Sequence, residues 1–104
     1  MRGAAALLLL AATAGAQAAD PVSQGRELAE GLCARCHAIA GPGPSPVAEA
    51  PPFSSFAQRW PLESLAEAFA EGIAVGHKTV DMPEFTFEPP QIGALLAYLR
   101  SVQE

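Results

Sequence analysis

The segment CARCH, from Cys33 to His37, holds two thiols three positions apart and an imidazole directly after the second thiol. Thiol and imidazole side chains are common ligands of metals and cofactors, so this segment is the strongest candidate for chemistry in the sequence. What it holds depends on the compartment of the protein and on the fold that surrounds the segment.

The first 19 residues have the layout of a secretory signal peptide. Arg2 is followed by a short apolar stretch and then by small residues, and such a stretch is short for a membrane span. Cleavage sites of the A-x-A type lie after Ala18 and after Ala19. We favour Ala19, which leaves residues 20–104 as one exported domain, and an uncleaved anchor is the alternative. With either arrangement we expect the domain outside the cytoplasm, in the periplasm.

The charge and the length of this domain limit what it can do. Without Arg2 it has 5 Lys and Arg against 11 Asp and Glu, a formal net charge of 5 − 11 = −6, so we expect no nucleic acid partner. A domain of this size has too little interior to be stable without a disulfide, a metal or a cofactor. The core is therefore predicted to include a group that is not protein.

Three segments repeat apolar residues with the period of an amphipathic helix, and none alternates as a strand would. They cover residues 20–36, 61–73 and 89–103, and the first delivers CARCH at its end. Residues 38–60 contain five prolines and no regular period, and a loop of that length in so small a domain is expected to wrap a ligand. The predicted fold class is all-α, with about three main helices around one ligand. The apolar stripes are Leu28, Leu32 and Cys36 in the first helix, Leu62, Leu65, Phe69 and Ile73 in the second, and Ile92, Leu95, Leu96, Leu99 and Val102 in the third.

A C-x-x-C-H sequence is the attachment motif of c-type haem. Each thiol can add to one vinyl group of the porphyrin, and the adjacent imidazole then lies on the iron axis. Cys33 and Cys36 are therefore predicted to form thioethers with haem c, and His37 is predicted to be the proximal iron ligand. A zinc site that adds His77 to these residues is one alternative, although a consecutive cysteine and histidine can hardly point at one tetrahedral ion. A disulfide or a chance motif explains neither the histidine nor the leader.

With these residues the chain resembles the class I cytochromes c, small carriers with one haem, over essentially the whole of residues 20–104. Gly25 stands eight residues before Cys33, where the family keeps a small residue so that its first and last helices cross closely. The stretch AYLRS, with Tyr98, resembles the partner helix of that crossing. Where the family often has an aromatic residue four positions before the first cysteine, this chain has Ala29.

The resemblance also implies a second iron ligand. The segment GHKTVDMPEF is similar to the distal loop of the family, which makes Met82 the expected sixth ligand of the iron. A thioether is a soft donor, and His/Met ligation raises the reduction potential. The alternatives are that His77 is the ligand, or that Met82 only packs in the core.

Residues around the haem follow from the same resemblance. The carbonyl of Pro51 is expected to accept a hydrogen bond from the ring of His37 and so to orient the ligand. Arg59 and Trp60 are expected near a haem propionate, the alternatives being a surface arginine and a core tryptophan. The walls of the haem crevice are expected to be Phe53, Phe56, Leu65, Phe69, Phe85 and Leu95.

The function that these features predict is that of a periplasmic single-electron carrier, not an enzyme. It would hold one covalent haem c with its iron, bind no small-molecule substrate and exist as a monomer. Redox donors and acceptors would meet it through transient contacts at the haem edge, and basic patches on those partners would speed encounter. Two alternatives remain open. The first is a haem subunit of a redox enzyme, or a sensor or peroxidase-like protein, with an open or labile sixth site. The second is a module that carries no haem.

Overall fold

The structure, a computed structural model, describes residues 20–72 and 82–104. All regular elements within these ranges are helical, as predicted. They are α1 (Pro21–Leu32), a 3-10 turn (Phe53–Ser55) that runs directly into the short helix α2 (Phe56–Arg59), α3 (Leu62–Glu71) and α4 (Pro89–Ser101).

The first turns of α1 and α4 are stabilised by side chains that satisfy free backbone N–H groups. The carboxylate of Asp20 accepts hydrogen bonds from the backbone N–H and the hydroxyl of Ser23, both at 3.0 Å, and these bonds lower the pKa of Asp20. At the start of α4, Glu88 and Gln91 exchange hydrogen bonds in a capping box. Both helices also have proline in the first turn, where no backbone donor is needed.

Helices α1 and α4 pack closely against each other. A Cβ atom placed on Gly25 would collide with the carbonyl oxygen of Ala94 and lie 2.7 Å from the Cβ of Tyr98. Glycine at this position therefore lets the backbones of the two helices come into direct contact. This agrees with the close crossing of the first and last helices that was expected from Gly25. The residues of α4 that are buried in the core are Ala94, Leu95, Leu96, Tyr98 and Leu99.

The buried stripe of α1 differs from the stripe that the sequence predicted. Gly25 and Ala29 are buried and Cys33 follows them, whereas Leu28 is half-buried and Leu32 is 39% exposed. The helical period was right and its phase was wrong. The reason is that a crossing of two main chains selects small side chains for the interface, and the larger leucines are then left at its edge.

Helix α3 packs against α4 with the stripe that was predicted. Leu62 and Phe69 are buried and Leu65 is half-buried; Ile73 lies outside the described residues. The helix ends at Gly72, whose φ of 93° is a conformation that favours glycine.

Residues 38–60 are more regular than predicted, because they include the 3-10 turn and α2. Phe53 and Phe56 are both buried, and they stand three positions apart, which is one turn of a 3-10 helix. A single turn is too short to produce a periodic pattern, so the prediction of a segment without secondary structure was wrong there. The preceding loop is fixed by backbone bonds from Phe53 N to Ala38 O (2.9 Å) and from Val47 N to Cys36 O (3.1 Å).

The hydroxyl of Tyr98 fastens this loop to α4. It donates a hydrogen bond of 2.8 Å to the carbonyl of Ile39, and the residue is only 4% exposed. Burial raises the pKa of Tyr98 above its ordinary value of 10.0, with smaller effects from Arg26, which lowers the pKa, and Glu30, which raises it.

Replacing Tyr98 with phenylalanine is expected to lower the free energy of unfolding by about 1 kcal/mol, because the Ile39 carbonyl loses its partner. Since folding raises the pKa of this phenol, its contribution is complete below pH ~10 and is lost as pH rises toward the higher pKa of the folded state. The free energy of unfolding of the variant should therefore decrease less steeply at alkaline pH than that of the wild type. Guanidinium unfolding of the haem-loaded protein at several pH values measures both effects, and equal stability with an equal alkaline slope would contradict them.

Candidate functional site

The CARCH segment begins where α1 ends. Cys33 is the C-cap residue of the helix, and its backbone N–H bonds to the carbonyl of Ala29 at 2.9 Å. The backbone N–H groups of Cys36 and His37 both bond to the carbonyl of Cys33, at 3.1 and 2.9 Å. The motif is therefore a tight turn held at the end of α1, whose position is itself fixed by the crossing with α4.

A cavity of about 560 Å³ lies beside this turn. Its volume is within the range of sites that enclose a small organic cofactor, and most of the side chains around it are aromatic or aliphatic. All six residues predicted as walls of the crevice line it. The lining residues of the described chain are Cys33, His37, Glu49, Pro51, Phe53, Phe56, Arg59, Trp60, Leu65, Ala68, Phe69, Glu71, Gly72, Met82, Phe85, Phe87 and Leu95.

The imidazole of His37 is buried at the wall of this cavity and has one defined hydrogen bond. Its Nδ1 lies 2.8 Å from the carbonyl oxygen of Pro51, the contact that the sequence predicted. A carbonyl oxygen can only accept, so Nδ1 carries the ring proton and Nε2 keeps an available lone pair. The arrangement fits an imidazole that acts as a metal ligand through Nε2.

Two phenylalanine rings fix the orientation of this imidazole further. The ring centroid of Phe53 lies 5.4 Å from that of His37, and the ring of Phe56 meets it edge-on at 5.8 Å. The two phenylalanines also pack on each other at 4.9 Å. Rotation of the imidazole would disturb this aromatic cluster as well as the bond to Pro51.

Met82, Arg59 and Trp60 line the same cavity. Met82 is half-buried, whereas Arg59 is exposed and Trp60 is 43% exposed. The indole ring of Trp60 packs edge-on against Phe56 at 5.5 Å. The structure thus brings these three predicted residues to one crevice with His37, and His77 lies outside the described residues.

The two cysteines differ in their surroundings. Cys33 is buried and lines the cavity, whereas Cys36 is half-buried and is not one of its lining residues. The two cysteines are not joined in a disulfide. Burial, and secondarily the neighbouring Cys36, raise the pKa of the Cys33 thiol to about 11. In the unmodified chain Cys33 is therefore a neutral, poorly nucleophilic thiol at physiological pH.

Two searches of residues 20–72 and 82–104 bear on other kinds of site. These residues include no group of three or more His, Cys, Asp and Glu side chains placed to hold a metal ion. None of the helices in the described part of the chain is long and apolar enough to cross a membrane.

A helical domain that forms an apolar crevice behind a C-x-x-C-H turn, with an oriented imidazole in the crevice wall, has the features of a c-type haem protein. The sequence model of the family Cytochrome c matches residues 22–103. The chain belongs to the cytochrome c family. No curated protein and no solved structure matches it.

Membership of this family defines the cofactor and the general activity. The cofactor is haem c with its iron, held covalently through the cysteines of the motif, Cys33 and Cys36. The family's activity is haem-based electron transfer, and its domains are typically electron carriers. The cavity fits such a group, because it is apolar, is large enough and begins at the motif.

Two residues near the site were missed by the sequence interpretation. Phe87 is buried, lines the cavity and packs on Phe69 at 5.5 Å. The alternation of Phe85, Thr86 and Phe87 is the signal that could have identified it. Gln103 bonds to the segment around His37 and has no such signal, because its partners in that segment, Ala57 and Phe53, are 46 and 50 residues away in the sequence.

Proposed function

We propose that this protein is a periplasmic single-electron carrier, not an enzyme, and that His37 and Met82 are the axial ligands of its haem iron. The observation that carries the proposal is the hydrogen bond of 2.8 Å from Nδ1 of His37 to the carbonyl of Pro51, at the wall of the apolar crevice. This bond leaves the lone pair of Nε2 available to coordinate the iron, and it fixes the plane of the ring. Haem c supplies the interconversion of ferric and ferrous iron when it is bound.

The role of Met82 as the second ligand is supported by its place and its chemistry. It lines the same crevice as His37 and is half-buried, and no other methionine remains once the leader is removed. A thioether favours the ferrous state relative to a second imidazole, so His/Met ligation suits a carrier of higher potential. His77 is the competing ligand.

Arg59 and Trp60 are proposed to meet the propionate end of the haem. Arg59 is the only lysine or arginine among the described residues that line the crevice, and it is exposed. A guanidinium pairs well with a carboxylate, and an indole N–H can donate a further hydrogen bond. Both residues lie where a charged group could stay in contact with water while the apolar porphyrin is covered.

The experiment that tests this function is an absorption spectrum of the exported protein, first oxidised and then reduced with dithionite, after acid-acetone extraction. We expect colour that remains with the protein, a sharp reduced α band, and a weak far-red sulfur-to-iron band in the oxidised form. Covalent colour without the far-red band would replace Met82 by His77 or by an open site. Rapid binding of carbon monoxide or cyanide at neutral pH would then favour an enzyme subunit or a sensor, and a colourless protein would remove the haem proposal.

The variant Met82→Leu separates ligation from packing. Leucine conserves the volume of the side chain, so a packing role would cost under ~1.5 kcal/mol and leave the spectrum intact. Loss of a ligand should instead abolish the far-red band and lower the reduction potential by a sizeable part of the ~0.8 V range that axial ligands span. Potentiometry and the oxidised spectrum measure these changes. His77→Ala is the matched control, and it should keep both the band and the potential.

The periplasmic location and the partners are proposed from the leader and the charge. Mass spectrometry of the periplasmic fraction should find residues 20–104 plus one haem, and a mass that includes residues 1–19 would contradict cleavage. The acidic domain is proposed to be a monomer that meets basic redox partners transiently. Transfer rates with such partners should fall as ionic strength rises, and a rate independent of salt would contradict this.

A further inference from the structure

The side chain of Gln103, which follows α4, joins three parts of the backbone. Its Nε2 donates hydrogen bonds to the carbonyls of Phe53 (2.7 Å) and Leu99 (2.8 Å). Its Oε1 accepts a hydrogen bond of 2.7 Å from the backbone N–H of Ala57. Both ends of one amide group are thus used, and two of the three bonds reach the 3-10 turn and α2.

These bonds replace a cap that α2 lacks. Ser55 is at the N-cap position but makes no capping bond, and its hydroxyl donates instead to the carbonyl of Pro52 at 2.7 Å. The backbone N–H of Ala57 is one of the donors that a helix leaves free in its first turn. Gln103 satisfies it from a distant part of the chain, so the position of α2 depends on this glutamine.

The segment that Gln103 holds is the one that surrounds the imidazole of His37. Pro51 accepts the bond from Nδ1, and Phe53 and Phe56 pack against the ring. The backbone N–H of Phe53 also bonds to the carbonyl of Ala38, the residue after His37. Gln103 therefore bonds to the backbone of the same short segment whose side chains and Pro51 carbonyl orient the ring.

We propose that Gln103 is a positioning residue for His37, acting through the backbone of residues 51–57 to fix the bond between Nδ1 and the Pro51 carbonyl. The proposal rests on the proposed role of His37 as an iron ligand. Without the amide, the carbonyl of Phe53 and the N–H of Ala57 each lose a partner, and the segment is held less tightly. A weaker bond at Nδ1 makes the imidazole a less basic ligand, which stabilises the ferric state less.

A second pair of bonds keeps the segment attached when Gln103 is changed. The backbone N–H of Glu104 donates to the carbonyl of Ser54, and Nε2 of Gln58 donates to the main-chain oxygen of Glu104, both at 3.2 Å. Because these bonds do not involve the Gln103 side chain, a Gln103 variant is expected to fold with a loosened segment.

The test compares Gln103→Leu with Gln91→Leu in the haem-loaded protein. Gln91 lies on α4 and supplies the capping box of that helix through a bond of 2.9 Å to Glu88 N, so the control makes the same substitution away from His37. We expect Gln103→Leu to speed solvent exchange of the His37 Nδ1 proton by roughly tenfold, to raise the reduction potential and to change the hyperfine shifts of the ferric haem methyl groups. Gln91→Leu should lose stability without any of the three changes.

The variant Gln103→Glu gives a second measurement. A carboxylate keeps the acceptor for Ala57 N–H but has no donor for the carbonyls of Phe53 and Leu99, so the Nδ1 proton exchange should again be faster and the hyperfine shifts should again change. The reduction potential is not compared for this variant, because the added negative charge itself lowers it. Wild-type values in both Gln103 variants, or equal changes in the Gln91 control, would overturn the proposal. Its failure is distinct from failure of the proposed function, which would show as a wild-type protein without a His-ligated spectrum.

Discussion

A protein in which Cys33 and Cys36 are both replaced by alanine is expected to contain no covalent haem and to be largely unfolded. The cavity then has nothing to fill it. At about 24 cal/mol per Å³ for empty apolar volume, ~560 Å³ corresponds to on the order of 13 kcal/mol, as much as the whole stability of a small domain. Only part of this free energy applies, because water enters a crevice that is open on one side. A part of it is nevertheless enough to unfold a domain of this size.

The measurement is the haem stain of the denatured protein together with its near-ultraviolet circular dichroism. Arg35→Ala is the matched control, since Arg35 lies between the two cysteines, is exposed and is not one of the lining residues. The control should retain covalent haem and a folded spectrum. A double cysteine variant that folds to a native-like spectrum without haem would show that the core does not need the cofactor.

The second large effect is expected from Gly25→Ala. Its new Cβ would collide with the carbonyl of Ala94, which belongs to the main chain and cannot turn away. The helices must separate, at a cost of about 1–3 kcal/mol, and the helix propensity of alanine offsets up to ~1 kcal/mol of it.

Gly31→Ala is the matched control for this substitution, because Gly31 is on the same helix and nothing lies within 4 Å of its Cβ position. It should stabilise the protein by roughly 0.5–1 kcal/mol through propensity alone. The two variants should therefore differ in free energy of unfolding by about 1–3 kcal/mol or more, measured by denaturant unfolding of the haem-loaded protein. Equal stability of the two would mean that the crossing is not close.

The sequence predicted the helices in which the apolar period continues over several turns. Helices α3 and α4 are confirmed because each has several apolar residues on one face and a proline at its start. For α1 the same reasoning chose the leucines, whereas the interface uses Gly25 and Ala29. A hydrophobicity pattern cannot identify a helix face that is buried because its side chains are small.

Around the site, prediction succeeded where a motif carries its own chemistry and failed where contacts are distant. The CARCH motif indicates its own chemistry, and the resemblance to the family implied the carbonyl of Pro51, which lies 2.8 Å from Nδ1 of His37 although 14 positions separate the two residues. The attachment of Gln103 to α2 depends on where the chain returns after α4, and neither residue type nor spacing indicates it. The bond from Tyr98 to Ile39 likewise joins residues far apart in the sequence.

The contact of main chains at Gly25 also has a mechanical consequence. A side chain can absorb a displacement by changing its rotamer, but a carbonyl group resting on an α-carbon cannot. Cys33 stands eight residues further along the same helix, about 12 Å at 1.5 Å per residue. We therefore expect a shift of α4 to move α1, and Cys33 at its end, along with it. The part of the crevice wall that α4 provides, at Leu95, and the attachment point at the end of α1, Cys33, are therefore expected to keep a constant spacing.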